Sequence, residues 1–268
     1  MIPQNILSEW MSIAPWQRMA MVEQDLIISR AVVDIYNDPL LSKKVAFRGG
    51  TALHKLYLKP AVRYSEDIDL VQMNPESVGE VIDRFRVVLN YLGEPIRKQK
   101  HRNTTLIYRF ESETPPVEQL RLKIEINCRE HINTYGLRNI PYSVESRWFS
   151  GKSDLVTYSI EELLGSKMRA LYQRKKGRDL FDLWYSMTYQ NVEVERILHS
   201  FDAFIQHDEL TIMKDEYVEN IRTKLADPDF RNDIVGLIRP DFECDLNQSF
   251  DYLNKNLFSK MSAQIGLV

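Results

Sequence analysis

The chain has 268 residues, of which 44% are hydrophobic and 27% charged, and its formal net charge is −3. This balance is typical of a globular protein of one or two domains and differs from that of a strongly basic nucleic-acid binder, although basic residues can still form patches. The first residues do not resemble a signal peptide, and no run of about eighteen apolar residues predicts a membrane span. Two cysteines, Cys128 and Cys244, lie far apart, which argues against a zinc site or a disulfide framework and favours a reducing cytoplasm.

The N-terminal half of the sequence predicts a mixture of helices and strands. Apolar residues at helical spacing predict one or two helices within residues 5–37 and an amphipathic helix over residues 75–92. Short runs of alternating or β-branched residues predict strands, which lie at residues 43–47, 67–71, 104–110 and 120–127. Pro115-Pro116 predicts a turn between the last two strands.

The pattern changes after about residue 155, and from Ser159 onward it predicts helices alone. Their apolar spacing gives helices at residues 159–174, 179–190, 192–206, 214–225 and 247–258. Asp227-Pro228-Asp229 is predicted as a turn, because proline lacks the amide donor that a strand needs. The sequence therefore predicts an α+β protein with a mixed-sheet domain at residues 1–155 and an all-helical domain at residues 156–268.

Two motifs in the first half point to phosphate chemistry. Gly49-Gly50-Thr51 follows a predicted strand and begins a predicted helix, where glycines let the backbone approach a phosphate and amides with a hydroxyl can bind it. The same pattern is equally typical of a tight turn with Thr51 as a plain N-cap. Asp67 and Asp69 lie two apart on a predicted strand, so their carboxylates face one way and repel each other without a cation such as Mg²⁺ or Mn²⁺.

Three further residues are candidates for the same chemistry, each with a structural alternative. Glu125 alternates with apolar residues, so it is either a third carboxylate or base at the site, or an ordinary solvent-facing residue. Lys167 interrupts an apolar helical stripe, which is costly unless its ammonium snorkels to solvent or meets an anion, either a phosphate or Asp182. Asp182 equally fits a routine ion pair with Arg178, four residues earlier.

Four motifs in order resemble those of a known family. They are Gly49-Gly50-Thr51-Ala52-Leu53, Arg63-Tyr64-Ser65-Glu66-Asp67-Ile68-Asp69-Leu70, Lys123-Ile124-Glu125-Ile126, and Lys167-Met168-Arg169-Ala170-Leu171 with Arg178-Asp179-Leu180-Phe181-Asp182-Leu183. Together they resemble the AbiEii-type nucleotidyltransferase toxins, a group that includes the MenT toxins within the DNA polymerase β-like superfamily. The resemblance spans roughly residues 46–185, about half of the chain.

The resemblance implies a polymerase-β-like core followed by a helical domain, and a toxin of a bacterial toxin–antitoxin or abortive-infection pair. The implied reaction moves a nucleotide from an NTP to an RNA, with the tRNA 3′ end as the family's acceptor, and blocks translation. Carried over by motif, Gly49, Gly50 and Thr51 hold the triphosphate and Asp67 and Asp69 hold Mg²⁺. Lys167 matches the family's later lysine, Asp179 and Asp182 compete for its later aspartate, and Arg63 and Ser65 line the pocket.

The acceptor, the partner and the reaction type leave alternatives open. Two basic clusters, at residues 97–102 and 169–178, are either solvated faces or contacts for RNA phosphates on both halves of the chain. The same metal site also suits an NTP-dependent phosphotransferase, and the fold suits a binding module without activity. A cognate antitoxin protein is the implied partner, and no membrane is expected.

Overall fold

The computed structural model describes residues 2–100, 103–113 and 115–266, and the chain divides into two compact units. The first unit comprises Met1–His131 and Leu137–Tyr158. The second comprises Ile132–Gly136 and Ser159–Val268, so a short segment within the N-terminal half belongs to it.

The first unit combines helices with a sheet. Its helices are α1 (Gln4–Trp10), α2 (Met19–Asn37), α3 (Leu41–Lys44), α4 (Gly49–Ala52) and α5 (Gly79–Val88). A π-helical turn, Leu53–Tyr57, continues α4, and a 3-10 turn, Asn90–Leu92, follows α5. Its strands are β1 (Val45–Arg48), β2 (Asp67–Gln72), β3 (Ile96–Lys100), β4 (Asn103–Glu111), β5 (Gln119–Asn127), β6 (Arg138–Glu145) and β7 (Ser150–Thr157).

These strands form one mixed sheet of seven in the described part of the chain, in the order β3-β4-β5-β2-β1-β7-β6. The pairs β2–β5 and β1–β7 are parallel, and the other neighbours are antiparallel. Because side chains alternate along each strand, the sheet has one apolar and one polar face near β2.

The apolar face packs under α2 and α5 and forms the core of this unit. Phe47 of β1 lies 6.4 Å from the ring of Tyr36 on α2, measured between ring centroids. Tyr108 of β4 donates a 3.3 Å hydrogen bond to the carbonyl of Phe85 on α5. The opposite face of the sheet is therefore the one that remains for chemistry.

The second unit is helical apart from one short strand pair. Its helices are α6 (Ile160–Gln173), α7 (Gly177–Tyr189), α8 (Val194–His207), α9 (Lys214–Leu225), α10 (Pro228–Asn232) and α11 (Leu246–Asn256). The strands β8 (Ile212–Met213) and β9 (Gln264–Ile265) pair antiparallel, and a 3-10 turn, Phe258–Lys260, follows α11. No helix in the described residues is long and apolar enough to cross a membrane.

The α+β class and the four predicted strands are confirmed, and several local predictions are wrong. Residues 227–229 form a helix start rather than a turn, because Asp227 Oδ1 accepts the amides of Asp229 at 2.8 Å and Phe230 at 3.3 Å. Proline suits this first helical position, whose amide needs no partner. The prediction of helices alone missed β8 and β9, which are two residues long. The sequence also gave no prediction for β3, β6 and β7, whose residues are largely polar or exposed.

Candidate active site

The polar face of the sheet gathers five charged side chains around the start of β2. Asp67 and Asp69 are two residues apart on this strand, so both point to the same face. The parallel neighbour β5 sets Lys123 opposite Asp67 and Glu125 opposite Asp69. On the other side, the last residue of β1, Arg48, is opposite Asp69. The predicted pair of carboxylates and Glu125 therefore come together.

Lys123 lies between two of these carboxylates. Its Nζ is 3.4 Å from Asp67 Oδ2 and forms an ion pair with Glu125. Burial raises the pKa of Asp67, with Glu66 and Glu125 adding to the rise and Lys123 opposing it. Burial lowers the pKa of Lys123, but the hydrogen bond to Glu125 and the charge of Asp67 outweigh it and leave that pKa raised. The three acids of this face therefore outnumber its two bases, Lys123 and Arg48, and their negative charge is only partly compensated.

The double glycine packs directly against this face. Gly49 has a φ of +79°, a conformation that glycine adopts without strain, and a Cβ there would overlap the carboxylate of Asp69. A Cβ on Gly50 would come within 2.6 Å of Arg63 Nη2 and 3.1 Å of Ser65 Oγ. The backbone of the first turn of α4 therefore lies in direct contact with side chains of β2 and of residues 63–65.

Thr51 ties this turn to β2. Its buried hydroxyl donates to the carbonyl of Asp67 and lies 2.8 Å from Ser65 Oγ. Since the Thr51 hydroxyl has a single proton, Ser65 is the donor of the second bond. The helix begins at Gly49, so the alternative prediction of Thr51 as N-cap is wrong, and Thr51 lies in the first turn.

Arg48 and Glu130 form a second charged pair at this site, and the sequence analysis missed both. Arg48 Nη1 is 3.0 Å from Glu130 Oε1, and Asn127 donates to Glu130 Oε2 at 2.9 Å. Burial opposes the charge on Arg48, but Glu130, Tyr158 and Asp69 together leave its pKa raised. The signal for Arg48 was its position directly before the double glycine, whereas Glu130 lies in a loop whose course the sequence did not reveal.

The carboxylates of Asp67 and Asp69 fit a divalent cation. Their oxygens are the ligands that Mg²⁺ prefers, and they share a face where burial already disfavours the charge of Asp67. Because Gly49 has no Cβ, the Asp69 carboxylate can lie directly against its backbone. Within the described residues, no group of three His, Cys, Asp or Glu is arranged to hold a metal ion.

A second charged cluster lies in the second unit, where a buried lysine and two buried aspartates meet a half-exposed arginine. Lys167 Nζ on α6 is 2.9 Å from Asp179 Oδ1 and 2.8 Å from Asp182 Oδ2 on α7. Arg174 makes two further bonds to Asp179, at 2.7 and 2.8 Å. Both aspartates have side chains that are 0% exposed, and Lys167 has 6%.

The partners in this cluster determine its charge states. Burial by itself would raise the pKa of Asp179, but Lys167 and Arg174 outweigh it and hold that pKa below its usual range. The predicted Arg178–Asp182 pair does not form, since Arg178 lies 3.8 Å from Asp233 and Asp182 pairs with Lys167. Asp179 and Asp182 both pair with Lys167.

The basic stretch 169–178 is largely neutralised by ion pairs, whereas the cluster on β3 is exposed. The pairs of the stretch are Arg169–Asp208 at 3.4 Å, Arg174–Asp179, Lys175–Asp227 at 2.5 Å, Lys176–Asp233 at 2.9 Å and Arg178–Asp233. All five residues of β3 are exposed, including Arg97, Lys98 and Lys100. His101 and Arg102, which complete the predicted cluster, lie outside the described residues.

Comparison with known proteins identifies a family and a fold. Residues 30–255 match the family model described as nucleotidyl transferase AbiEii toxin, type IV toxin–antitoxin system. The structure is similar to MenT4, a nucleotidyltransferase toxin from Mycobacterium tuberculosis H37Rv, with a TM-score of 0.66 and 15% identity over 98% of this chain and 91% of that one. It is also similar to a candidate nucleotidyltransferase from H. pylori, with a TM-score of 0.51 and 20% identity over 89% and 93% of the two chains. No protein of curated function matches this sequence significantly.

Proposed function

The chain belongs to the AbiEii family of nucleotidyl transferase toxins of type IV toxin–antitoxin systems, and we propose that it transfers a nucleoside monophosphate from an NTP to an RNA. The observation that carries the proposal is the pairing of Asp67 and Asp69 on one face of β2, with the Gly49-Gly50 backbone packed against them. Paired carboxylates beside a glycine turn are what a cation and a triphosphate need in one place.

Each residue of this face has a proposed role. Asp67 and Asp69 would hold a divalent cation, Mg²⁺ or Mn²⁺, which when bound polarises phosphoryl oxygens and neutralises their charge. Gly49, Gly50 and Thr51 bring backbone amides close to the triphosphate. Thr51 contributes its backbone amide, because its hydroxyl is already bonded to the Asp67 carbonyl.

The remaining residues of the site either support the glycine turn or activate the acceptor. Arg63 and Ser65 brace the glycine turn, since both lie against Gly50. Glu125 is the proposed base: its carboxylate takes the proton of the acceptor hydroxyl, whose oxygen bonds the α-phosphorus while the bond to pyrophosphate breaks. Lys123 forms an ion pair with Glu125 and positions its carboxylate for this task.

Lys167 and Asp182 are proposed site residues through the family's later motifs. Lys167 has three donors, and the carboxylates of Asp179 and Asp182 orient two of them. We propose that the third binds a phosphate oxygen of the NTP. Asp179 and Asp182 then act as positioning residues that hold the ammonium.

The acceptor and partner follow from the family and from charge. We propose a tRNA 3′ end as acceptor, so that modification blocks translation in the cytoplasm, and a cognate antitoxin as partner. The exposed Arg97, Lys98 and Lys100 on β3 supply cations for RNA phosphates, which commonly position a nucleic acid without reading its sequence.

Labelled nucleotides test the reaction. The protein is incubated with total RNA and Mg²⁺, once with each α-³²P-labelled NTP and once with each γ-³²P-labelled NTP. We expect label in RNA from the α-position alone, concentrated in the tRNA fraction. Transfer from the γ-position would instead identify a phosphotransferase, and labelled RNA of other classes would retain the chemistry and remove tRNA as acceptor. A protein that transfers neither label, yet binds NTP, would be a binding module.

A further inference from the structure

We infer that the ammonium of Lys123 occupies the place of a second cation, so that this site binds one divalent ion where two-metal phosphoryl-transfer sites bind two. The inference rests on the proposed function, because it concerns the cation held by Asp67 and Asp69. Two-metal sites hold their ions about 3.5–4 Å apart, bridged by shared ligands.

The geometry that carries the inference is the position of Lys123 between carboxylates of two strands. Its Nζ contacts Asp67 on β2 and Glu125 on β5. A second metal ion would need these same two side chains, one shared with the first ion and one of its own. The ammonium therefore takes both the ligands and the space of that ion.

The charges agree with a single divalent cation. Asp67, Asp69, Glu125 and Glu130 carry four formal negative charges, and Lys123 and Arg48 carry two positive charges, which leaves −2 on this face. Arg48 lies 3.0 Å from Glu130, and the charge of Asp69 also stabilises its guanidinium. One Mg²⁺ balances this charge, whereas a second would lie against a like-charged ammonium in a half-buried site.

The backbone keeps Lys123 in this position. Lys123 and Glu125 are two residues apart on one strand, so their side chains leave the same face side by side. The parallel register sets Lys123 directly opposite Asp67. The bond from Thr51 to the Asp67 carbonyl fixes the strand from the other side. An ammonium that is tethered to the same strand as its partner competes with free ions at a high effective concentration.

Metal stoichiometry tests the inference. Mn²⁺ is titrated into the purified full-length wild type and Lys123→Met, and bound ions per chain are counted by electron paramagnetic resonance, with and without a non-hydrolysable NTP analogue. Spectra of the analogue with Mn²⁺ alone are subtracted. Lys123→Arg keeps the positive charge, and Lys98→Met removes a lysine from the exposed strand β3. Circular dichroism checks folding, and Lys123→Gln replaces the methionine variant if that variant does not fold.

We expect one bound Mn²⁺ in the wild type, Lys123→Arg and Lys98→Met, and two in Lys123→Met, the second giving a spin-coupled spectrum. Two coupled ions in the wild type, or a single ion in both neutral variants at position 123, would overturn the inference while leaving the proposed function in place. No bound ion in any form would instead count against the metal site and the proposed function together.

Discussion

The charged face of the sheet and the buried cluster of the second unit are built from similar residues with opposite outcomes. On the sheet, three half-buried acids outnumber the lysine between them, and the side chains of Asp67, Lys123 and Glu125 are 28–32% exposed. In the second unit, two acids with no exposed surface meet a lysine and an arginine, and the charges cancel. The first group therefore has negative charge left to bind a cation, whereas the charges of the second group are neutralised within the cluster.

This difference separates binding from stability. Half-buried acids that repel one another cost folding energy, so removing one should not harm the apo protein. Buried ion pairs behave in the opposite way, because removing one partner leaves an uncompensated charge in the interior. Variants of the two groups should therefore differ in which property they lose.

The largest effect is expected from replacing either aspartate of β2, Asp67 or Asp69. Asp67→Asn or Asp69→Asn removes a carboxylate that a cation needs, and nucleotide transfer should fall at least about a thousandfold, since bound metal contributes several kcal/mol. The melting temperature should stay unchanged or rise, because a repulsive charge is lost. Transfer from α-labelled NTP and thermal unfolding measure the two properties.

The outcome for Glu66→Gln provides the control for this pair. Glu66 directly precedes Asp67, but its side chain is 42% exposed and pairs only loosely with Arg121 at 3.9 Å. Near-normal transfer in this variant would assign the loss to the β2 carboxylates themselves. Substantial transfer by either aspartate variant in Mg²⁺ would refute the assignment of the metal site.

A loss of stability is expected from the buried cluster. Asp179→Asn weakens the three charge-assisted bonds that the buried Asp179 carboxylate accepts from Lys167 and Arg174, and the free energy of unfolding should fall by about 3 kcal/mol. Urea denaturation measures this change. Asp83→Asn is the matched surface control, since the Asp83 side chain is 74% exposed and its pair with Arg86 should contribute little. Equal stability of both variants would show that the ion pairs of Asp179 do not stabilise the fold.

Acid should remove the same contribution. The pKa of Asp179 is lowered in the folded protein, so its stabilisation is complete above the unfolded value near 3.8 and is lost as the pH falls through the folded pKa. The difference in unfolding free energy between wild type and Asp179→Asn should therefore be constant from pH 7 to about pH 5 and shrink below pH 4. A difference that grows in acid would mean that the pKa is raised instead.

Lys167 should show an intermediate effect on the nucleotide. If its third donor binds a phosphate, Lys167→Met should weaken NTP binding by about 1–3 kcal/mol, the range for a charge-assisted hydrogen bond. The same change leaves two buried aspartates with less positive charge, so stability should fall as well. Lys167→Arg, which keeps the charge, should recover part of the affinity. Binding that is unchanged in a folded Lys167→Met protein would leave Lys167 with a structural role alone.

The sequence predicted the acids of the sheet better than their partners, for physical reasons. Alternation along a strand is visible in sequence, so Asp67, Asp69 and Glu125 were expected on polar faces. Their meeting depends on the parallel register of β2 and β5, and Lys123 acquired its role only from that register. Helical spacing likewise revealed Lys167 on an apolar stripe but not which acids would reach it.

The edges of the sheet were harder to predict. Strand β3 is exposed along its whole length and rich in cations, which is how edge strands avoid pairing with other chains, so it carries no alternation of apolar residues. The basic stretch 169–178 appeared equally available in sequence, yet long-range partners such as Asp208 and Asp227 neutralise it. Both corrections concern contacts between residues that are distant in the chain.

The smallest expected effect compares these two basic clusters in RNA binding. Arg97, Lys98 and Lys100 have no ion pair within the part of the chain that the structure describes, so they can neutralise RNA phosphates. Reversing all three to Glu should weaken RNA binding and reduce its salt dependence by up to about 2 in log–log slope, or roughly 0.7 per phosphate on a single strand. Lys175→Glu with Lys176→Glu changes residues already paired with Asp227 and Asp233, and RNA binding should change much less. Arg174 is left intact because its reversal would disturb Asp179.

Filter binding of tRNA between about 50 and 200 mM salt measures both variants, with NTP affinity as the check that the site is unchanged. An unaltered salt slope in the β3 variant would remove that strand from the RNA-binding surface, and a larger effect from the Lys175 and Lys176 variant would transfer the role to the second unit.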